Sequence, residues 1–357
     1  MVSAWPGCLP EPLERSRSLN EFEVKHIPDD FLVRESVAVR HTPKESATHR
    51  LYLLRKCGYT TMEIVRAIAA AAGTTESSIG YCGLKDEDGV TEQLISTPLA
   101  VSLPTSDEAD VGTGGRWYTT QHYGFTNTPL RVGQMEGNSF KVVLRNVEPE
   151  HATGFFSRKK INFMFLNYFD TQRFGVPNGP HLTHLVGAAM LEGRWDDARK
   201  ILMELNSPES KLAADWAGPS RDFFFQLDER VTSFYPAAHA SFAWNEHLAE
   251  LATAAAGACV RRITVDGISF TYVTESAAAA RVLAEAHELP TTKYRFDGGA
   301  LARSASVRAT VAQTVIEVDD RADDEYFPRR KRVELSFFLP SGTYATAAIR
   351  QLAAQVS

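Results

Sequence analysis

The chain has 357 residues, with 44 acidic against 38 basic side chains and a formal charge of −6. That length points to two packed units rather than one small domain, and a content of 44% apolar and 23% charged residues excludes wholesale disorder. The acidic balance excludes a basic protein that coats nucleic acid nonspecifically, so any such contact must come from cations concentrated in one place.

The segment 1–20 holds Pro6, Pro10 and Pro12 with charges between them, and it reads as a flexible arm without the apolar stretch of a signal peptide. Phe22 to Ile27 alternates apolar and polar residues, as a strand with one buried face does. Pro28-Asp29-Asp30 turns the chain, and Phe31-Leu32-Val33 opens a second strand. His49–Arg55 is a third. Thr60 and Glu63 fit a capping box for a helix whose stripe is Ile64, Val65, Ile68, Ala69 and Ala72, with Gly73 as its stop. Ile79–Cys82 reads as a short buried strand, Gly83 to Asp86 as a turn, and Val90–Ser96 as a strand. Gly112–Gly115 reads as a loop tip. In Ser139–Arg145, Phe140, Val142 and Leu144 share a face. Beyond Pro177 alanine becomes abundant, with helices expected over Leu182–Leu191, Asp196–Leu205 and Pro236–Ala255. Short strands are expected at Arg262–Val265 and Ile268–Val273, a longer one at Val333–Leu339, and a last helix from about Tyr344.

The cysteines at 8, 57, 82 and 259 form no C-x-x-C pair and suit reduced thiols. No run approaches the roughly 20 apolar residues of a membrane span. The expectation is a soluble, cytoplasmic protein with no membrane role.

Two stretches carry chemistry. In Gly83-Leu84-Lys85-Asp86-Glu87-Asp88-Gly89, a Lys-Asp pair lies between two strands and is bracketed by glycines. It suits either a plain surface turn or a carboxylate held on a rigid strand end. Asn167-Tyr168-Phe169-Asp170-Thr171-Gln172-Arg173-Phe174-Gly175 mixes rings, amides and a guanidinium. Such a set can stack bases and hold phosphate, or simply end an amphipathic helix. His181 and His184 have i, i+3 spacing but no evident third ligand, so no metal is expected.

Together these stretches resemble the TruD family of tRNA pseudouridine synthases. Gly83 to Gln93 is similar to that family's G-x-K-D-x-x-x-x-T-x-Q, and Asn167 to Gly175 to its N-Y-F-G-x-Q-R-F-G. Lys25 to Glu35 resembles the opening K-x-x-P-x-D-F-x-V-x-E, Gly137 to Phe140 the G-N-x-F segment, and Leu339 to Thr346 the closing L-P-x-G-x-Y-A-T. Ser241 to Asn245 is a weaker match. The motifs run in order from residue 25 to 346, with little likeness between about 177 and 330. Asp170 stands where the family usually has glycine, which suggests a carboxylate able to reshape or repel part of an RNA path.

The resemblance implies an α+β fold: a catalytic domain with a mixed, largely antiparallel sheet flanked by helices, and an inserted helix-rich α/β domain. The expected bounds are 21–176 and 310–357 for the first and 177–309 for the insertion. It implies an isomerase that converts uridine to pseudouridine in RNA, most simply tRNA at a position of the uridine 13 type. No cofactor is expected, since uracil is both leaving group and returning nucleophile. Asp86 takes the position of the catalytic carboxylate, attacking C1′ or abstracting the 2′ proton. Lys25 matches its ion-pair partner. Phe140 is expected to stack on the target uracil, with core packing as the competing role. Asn138 is expected at the uracil edge, and Lys85, Thr91 and Gln93 as supports of the Asp86 turn. Gln172, Arg173 and Phe174 are expected on the substrate side. Arg158 to Lys160 and Arg329 to Arg332 are candidate phosphate contacts. Three other readings stay open: a related synthase supplying pseudouridine or its nucleotide to C-nucleoside antibiotic pathways, a non-catalytic RNA-binding protein or chaperone, and a nucleosidase.

Overall fold

Thr60 and Glu63 close on each other as their spacing predicts. In a computed structural model that describes residues 17–18, 22–85, 87, 89–104, 110–111, 115–175, 179–297 and 299–356, Glu63 N donates to Thr60 Oγ1 at 3.2 Å. Thr60 N returns a bond to Glu63 Oε2 at 2.7 Å. The helix Thr61–Ala71 follows, and its Ile64, Val65, Ile68 and Ala69 pack on Tyr52, Leu54 and Ile95 of the sheet beneath. Asp86, the loop tip at 112–114 and, apart from 17–18, the arm 1–20 lie outside the described residues.

The first of two units takes in 1–162 and 314–342. Its sheet runs in the order Lys160–Leu166, Val311–Asp323, Lys331–Pro340, Gly137–Val147, Phe31–Ser36, Val90–Pro98, His49–Cys57, Trp117–Thr126 and Asp110–Val111. Phe31–Ser36 and Val90–Pro98 are parallel, while the neighbours on either side pair antiparallel. The sheet is thus mixed and largely antiparallel, and the fold is α+β. Alternation sets its faces. Val33 is opposite Phe140, and Phe140 opposite Phe337; Glu35 is opposite Asn138, and Asn138 opposite Leu339. Thr91 is beside Val33 and opposite Lys56. All these side chains therefore share one face.

The strand expected over Phe22–Ile27 covers only Glu23–Val24. Lys25 has φ +56°, a left-handed conformation that no β-ladder accepts, and it breaks the strand.

The second unit takes in 163–313 and 343–357. Helices Thr183–Leu191, Trp195–Glu204, Pro208–Asp215, Ser220–Gln226 and Glu229–Ala256 are joined by two hairpins, Val260–Val265 with Ile268–Val273 and Glu288–Asp297 with Ala300–Ala309. The long helix starts seven residues before the Pro236 that suggested its beginning, because Asp228 caps it and proline is carried inside. At that proline Gly187 of Thr183–Leu191 comes so close that a Cβ would lie 2.0 Å from Tyr235 O.

The units divide elsewhere than the sequence suggested. Residues 163–176 and the helix Ala345–Val356, expected with the first domain, belong to the second unit. Gln351 explains this: it accepts from Leu166 N and donates to Leu166 O, both at 2.8 Å, and Ala354 joins the core of Leu166, Phe270 and Val273.

Candidate active site

A chain of hydrogen bonds fixes the turn that carries the Lys-Asp pair. Thr61, at the start of its helix, accepts from Lys85 N at 2.8 Å and donates to Gln93 Oε1 at 3.0 Å. Gln93 Nε2 donates to Gly83 O at 3.1 Å. Lys56 Nζ, fully buried, donates to Tyr59 O at 2.6 Å and more weakly to Lys85 O at 3.5 Å. Lys85 folds back so that its ammonium donates to Glu35 Oε2 at 2.6 Å. Gly83 permits this fold, since a Cβ there would stand 2.7 Å from Lys85 Nζ. Beyond residue 86, Glu87 O accepts from Gly58 N at 3.0 Å. The backbone is therefore held on both sides of Asp86.

The same sheet face carries buried polar atoms that no described residue satisfies: Glu35 Oε1, Thr91 Oγ1 and Asn138 Oδ1. Unpaired acceptors of this kind are costly in a dry interior, so their grouping is informative. Burial pushes the Glu35 carboxyl above its usual range, against the pull of Lys85. Lys25 is 2% exposed, and its ammonium lies 4.5 Å from the centre of the Phe31 ring. Phe31 leans on Phe140 at 5.9 Å, and Phe140 stacks on Phe337 at 5.3 Å and 21°. With 8% of its surface exposed, Phe140 is packed into the core within a row of rings, the role that competed with stacking on uracil. Asp30 of the opening motif anchors the turn after Lys25 by accepting from Arg145 Nε and Nη2 at 2.7 and 2.8 Å.

The Asn167–Gly175 stretch is built into the second unit. Asn245 accepts from Phe169 N at 2.9 Å and donates to Phe169 O at 2.8 Å, while Trp244 meets the Phe169 ring edge-on at 5.6 Å. Gln172 is exposed. Arg173 is partly buried and donates from Nε to Ser241 Oγ at 3.1 Å. The structure differs from expectation at Phe174, which is fully buried among Leu166, Trp244 and Tyr272. Its ring packs this unit and has no surface to offer a substrate. Asp170 differs too. It is fully buried, accepts from Arg350, Thr346 and Thr171 N, and faces no RNA path. Burial raises its carboxyl, but Arg350 and these bonds outweigh burial and hold it below the usual range.

Of the two basic runs, Arg329 to Arg332 is largely paired, and Arg158 to Lys160 is paired at Lys160. Lys160 pairs with Glu317 at 2.5 Å, Lys331 with Asp323 at 2.6 Å, Arg332 with Asp320 at 3.1 Å, and Arg330 with Glu148. His184 stacks on Phe242 at 4.2 Å, and burial pushes its imidazole down to about 4.

A family model described as tRNA pseudouridine synthase D (TruD) matches residues 21–217, more than half of the sequence. The chain belongs to the TruD family. Among curated TruD relatives, the tRNA pseudouridine synthase D of Geobacter sulfurreducens is 33% identical over 190 residues, covering 50% of this chain and 42% of that one. That of Aquifex aeolicus is 32% identical over 187 residues, covering 50% and 46%. The matched part thus spans less than half the length of these relatives. A crystal structure from Methanosarcina mazei, described as a candidate TruD, aligns over 94% of each chain with a TM-score of 0.58 and 16% identity, a likeness of fold.

Sequence reasoning gave no role to three residues of this TruD turn: Glu35, Lys56 and Thr61. Glu35 had a signal, since it follows Phe31 and Val33 on an otherwise apolar face. Thr61 was hidden behind the capping role of Thr60. Among the described residues no helix is long and apolar enough to cross a membrane.

Proposed function

We propose that this chain is a pseudouridine synthase acting on tRNA, at a position of the uridine 13 type, with Asp86 as its working carboxylate. The observation that supports this most is the bracing of the Lys-Asp turn by Thr61, Gln93, Lys56 and the Lys85–Glu35 pair. A surface turn needs no such frame, whereas a carboxylate that meets one sugar carbon does. In the reaction the C1′–N1 bond breaks, uracil turns within the pocket, C1′ joins C5, the C5 proton leaves to solvent, and N1 takes up a proton in its place. Asp86 meets the sugar either by bonding to C1′ or by taking the 2′ proton. Lys25 keeps it ionised. Phe140 provides a ring for the detached base, and Asn138, with its unpaired Oδ1, the edge contact. Lys85, Thr91 and Gln93 position the turn. The target uridine is flipped out of its stack to reach this site. The first unit is the catalytic domain in this reading, and the second corresponds to the family's inserted domain.

The test uses tRNA tritiated at uridine C5. The protein releases tritium to water, and Asp86→Asn releases none while binding tRNA as before. Tritium release by Asp86→Asn at the normal rate, or none by the unaltered protein, overturns the proposal. Parallel reactions with UMP and free uridine test for a small-molecule substrate.

A further inference from the structure

Two arginines of the second unit have no ion-pair partner among the described residues. Arg308, on the strand Ala300–Ala309, donates from Nε and Nη2 to Asn167 O at 3.0 and 2.8 Å, and from Nη2 to Asn167 Oδ1 at 2.9 Å. Its plane lies over the Phe169 ring at 3.9 Å and near Trp244 at 5.2 Å. Arg173 donates from Nε to Ser241 Oγ and lies 5.0 Å from the centre of the Phe234 ring. Neither forms an ion pair among the described residues. The nearest carboxylate in sequence, Asp170, is consumed by Arg350 and Thr346. Asp228 and Glu229 line the same cavity as Arg173, but neither is within ion-pair distance of it, and Asp228 caps the long helix and lies 3.8 Å from Arg230. The group that favours the charge of both arginines is Tyr344.

The arrangement is electrostatically incomplete. Burial lowers both guanidinium pKa values, and Arg308, further opposed by the charge of Arg173, comes down to about 10. Arg173 reaches Ser241 and Arg308 reaches Trp244, residues about one turn apart on the helix Glu229–Ala256, so both guanidinium groups meet the same stretch of that helix, and two like charges there in a partly dry setting call for a counter-anion. Among the described residues, the donors left uncommitted are Nη1 and Nη2 of Arg173 and Nη1 of Arg308. Both Nε groups are already tied to protein, so each plane is fixed before a ligand arrives. A planar fork held ready by neutral partners suits a phosphate oxygen pair better than a mobile lysine would.

We propose that Arg173 and Arg308 together clamp a single phosphodiester of the RNA substrate. The clamp rests on the RNA reading above, and it assigns to Arg308 a role that no sequence motif suggests. Asn167 and Ser241 serve as its positioning residues, their amide and hydroxyl groups spent on guanidinium groups rather than on RNA.

The experiment measures tRNA affinity across a series of KCl concentrations for the full chain and for Arg173→Gln, Arg308→Gln and the double variant. Each single variant is expected to weaken binding about tenfold and to make the slope of log K against log salt shallower by about one. The double variant should be no shallower than either single one, because one phosphate is shared. Affinity and slope unchanged in folded single variants overturn the clamp. A double variant shallower by about two also overturns it, since two separate phosphates would then be held. If Arg308→Gln does not fold, Arg173→Gln and Arg308→Lys carry the same comparison, with the lysine expected to keep the slope and lose affinity. Failure of the RNA reading shows separately, in an unaltered protein that neither binds tRNA nor releases tritium.

Discussion

Asp170 stands where TruD chains usually carry glycine, and the position is fully buried. A lone carboxylate there would be costly, and Arg350, 180 residues away in sequence, answers it. Within this fold the two charges depend on each other. Replacing one partner leaves a buried charge, and Asp170→Gly or Arg350→Met alone should each cost about 3–5 kcal/mol. The double variant should cost far less than the two together, a coupling that urea unfolding in a double-mutant cycle measures. The pH dependence has a definite sign. Because the folded Asp170 carboxyl is held below its usual value, its contribution is fully present above the unfolded pKa of about 3.9 and is lost as pH falls through the folded value. Stability of the unaltered chain should therefore drop more steeply on acidification below about pH 4 than that of the double variant. Equal slopes for the two would remove Asp170 as the titrating group.

At the scale of elements, the helix Thr61–Ala71 was legible and the long helix only in part, for a physical reason in each case. A capping box is local, so Thr60 and Glu63 announce it within four residues. Its removal is also local: Thr60→Ala should cost about 1 kcal/mol with an unchanged denaturant m-value, as read from urea unfolding. A shift above 3 kcal/mol would mean that the cap holds more than its helix. Pro236 misled because proline normally opens a helix, whereas here it is carried in the interior, opposite Gly187. The hairpin of Glu288–Asp297 and Ala300–Ala309 was missed because alternation is confined to Lys293 to Asp297 in its first strand, while its second is mostly exposed and mixes small apolar with polar residues, so no buried face is marked along it. The candidate site was legible as motifs but not as bonds. Spacing could flag Lys85 and Gln93, yet the link from Gln93 through Thr61 to the Lys85 backbone exists only once a helix start meets a strand. Lys25 shows the same limit, since nothing in a strand-like run signals a positive φ.

Across the whole molecule, each unit is assembled from two separate stretches of chain, which ties the last helix to a core whose other members run from Leu166 to Val311. In Ala345–Val356, Ile349 and Leu352 are 1% exposed, Gln351 satisfies both backbone groups of Leu166, and Arg350 neutralises Asp170. Two buried aliphatic side chains are worth about 1.5–3 kcal/mol each, and an abandoned Asp170 costs about 3–5 kcal/mol. Their sum is comparable to the total stability of an ordinary domain, about 5–15 kcal/mol. A chain stopped after Gly342 should therefore lose cooperative melting of the second unit, although the removed piece is short. Tryptophan fluorescence reports this selectively, since Trp195, Trp216 and Trp244 lie in that unit and Trp117 in the first. The emission of the truncated chain should be red-shifted at room temperature, and a synthetic peptide of residues 343–356 added in trans should restore both the blue emission and a single transition. A truncated chain that melts like the full one would show that the core of Leu166, Trp244 and Phe270 closes without the helix, and that the division between the units has been drawn in the wrong place.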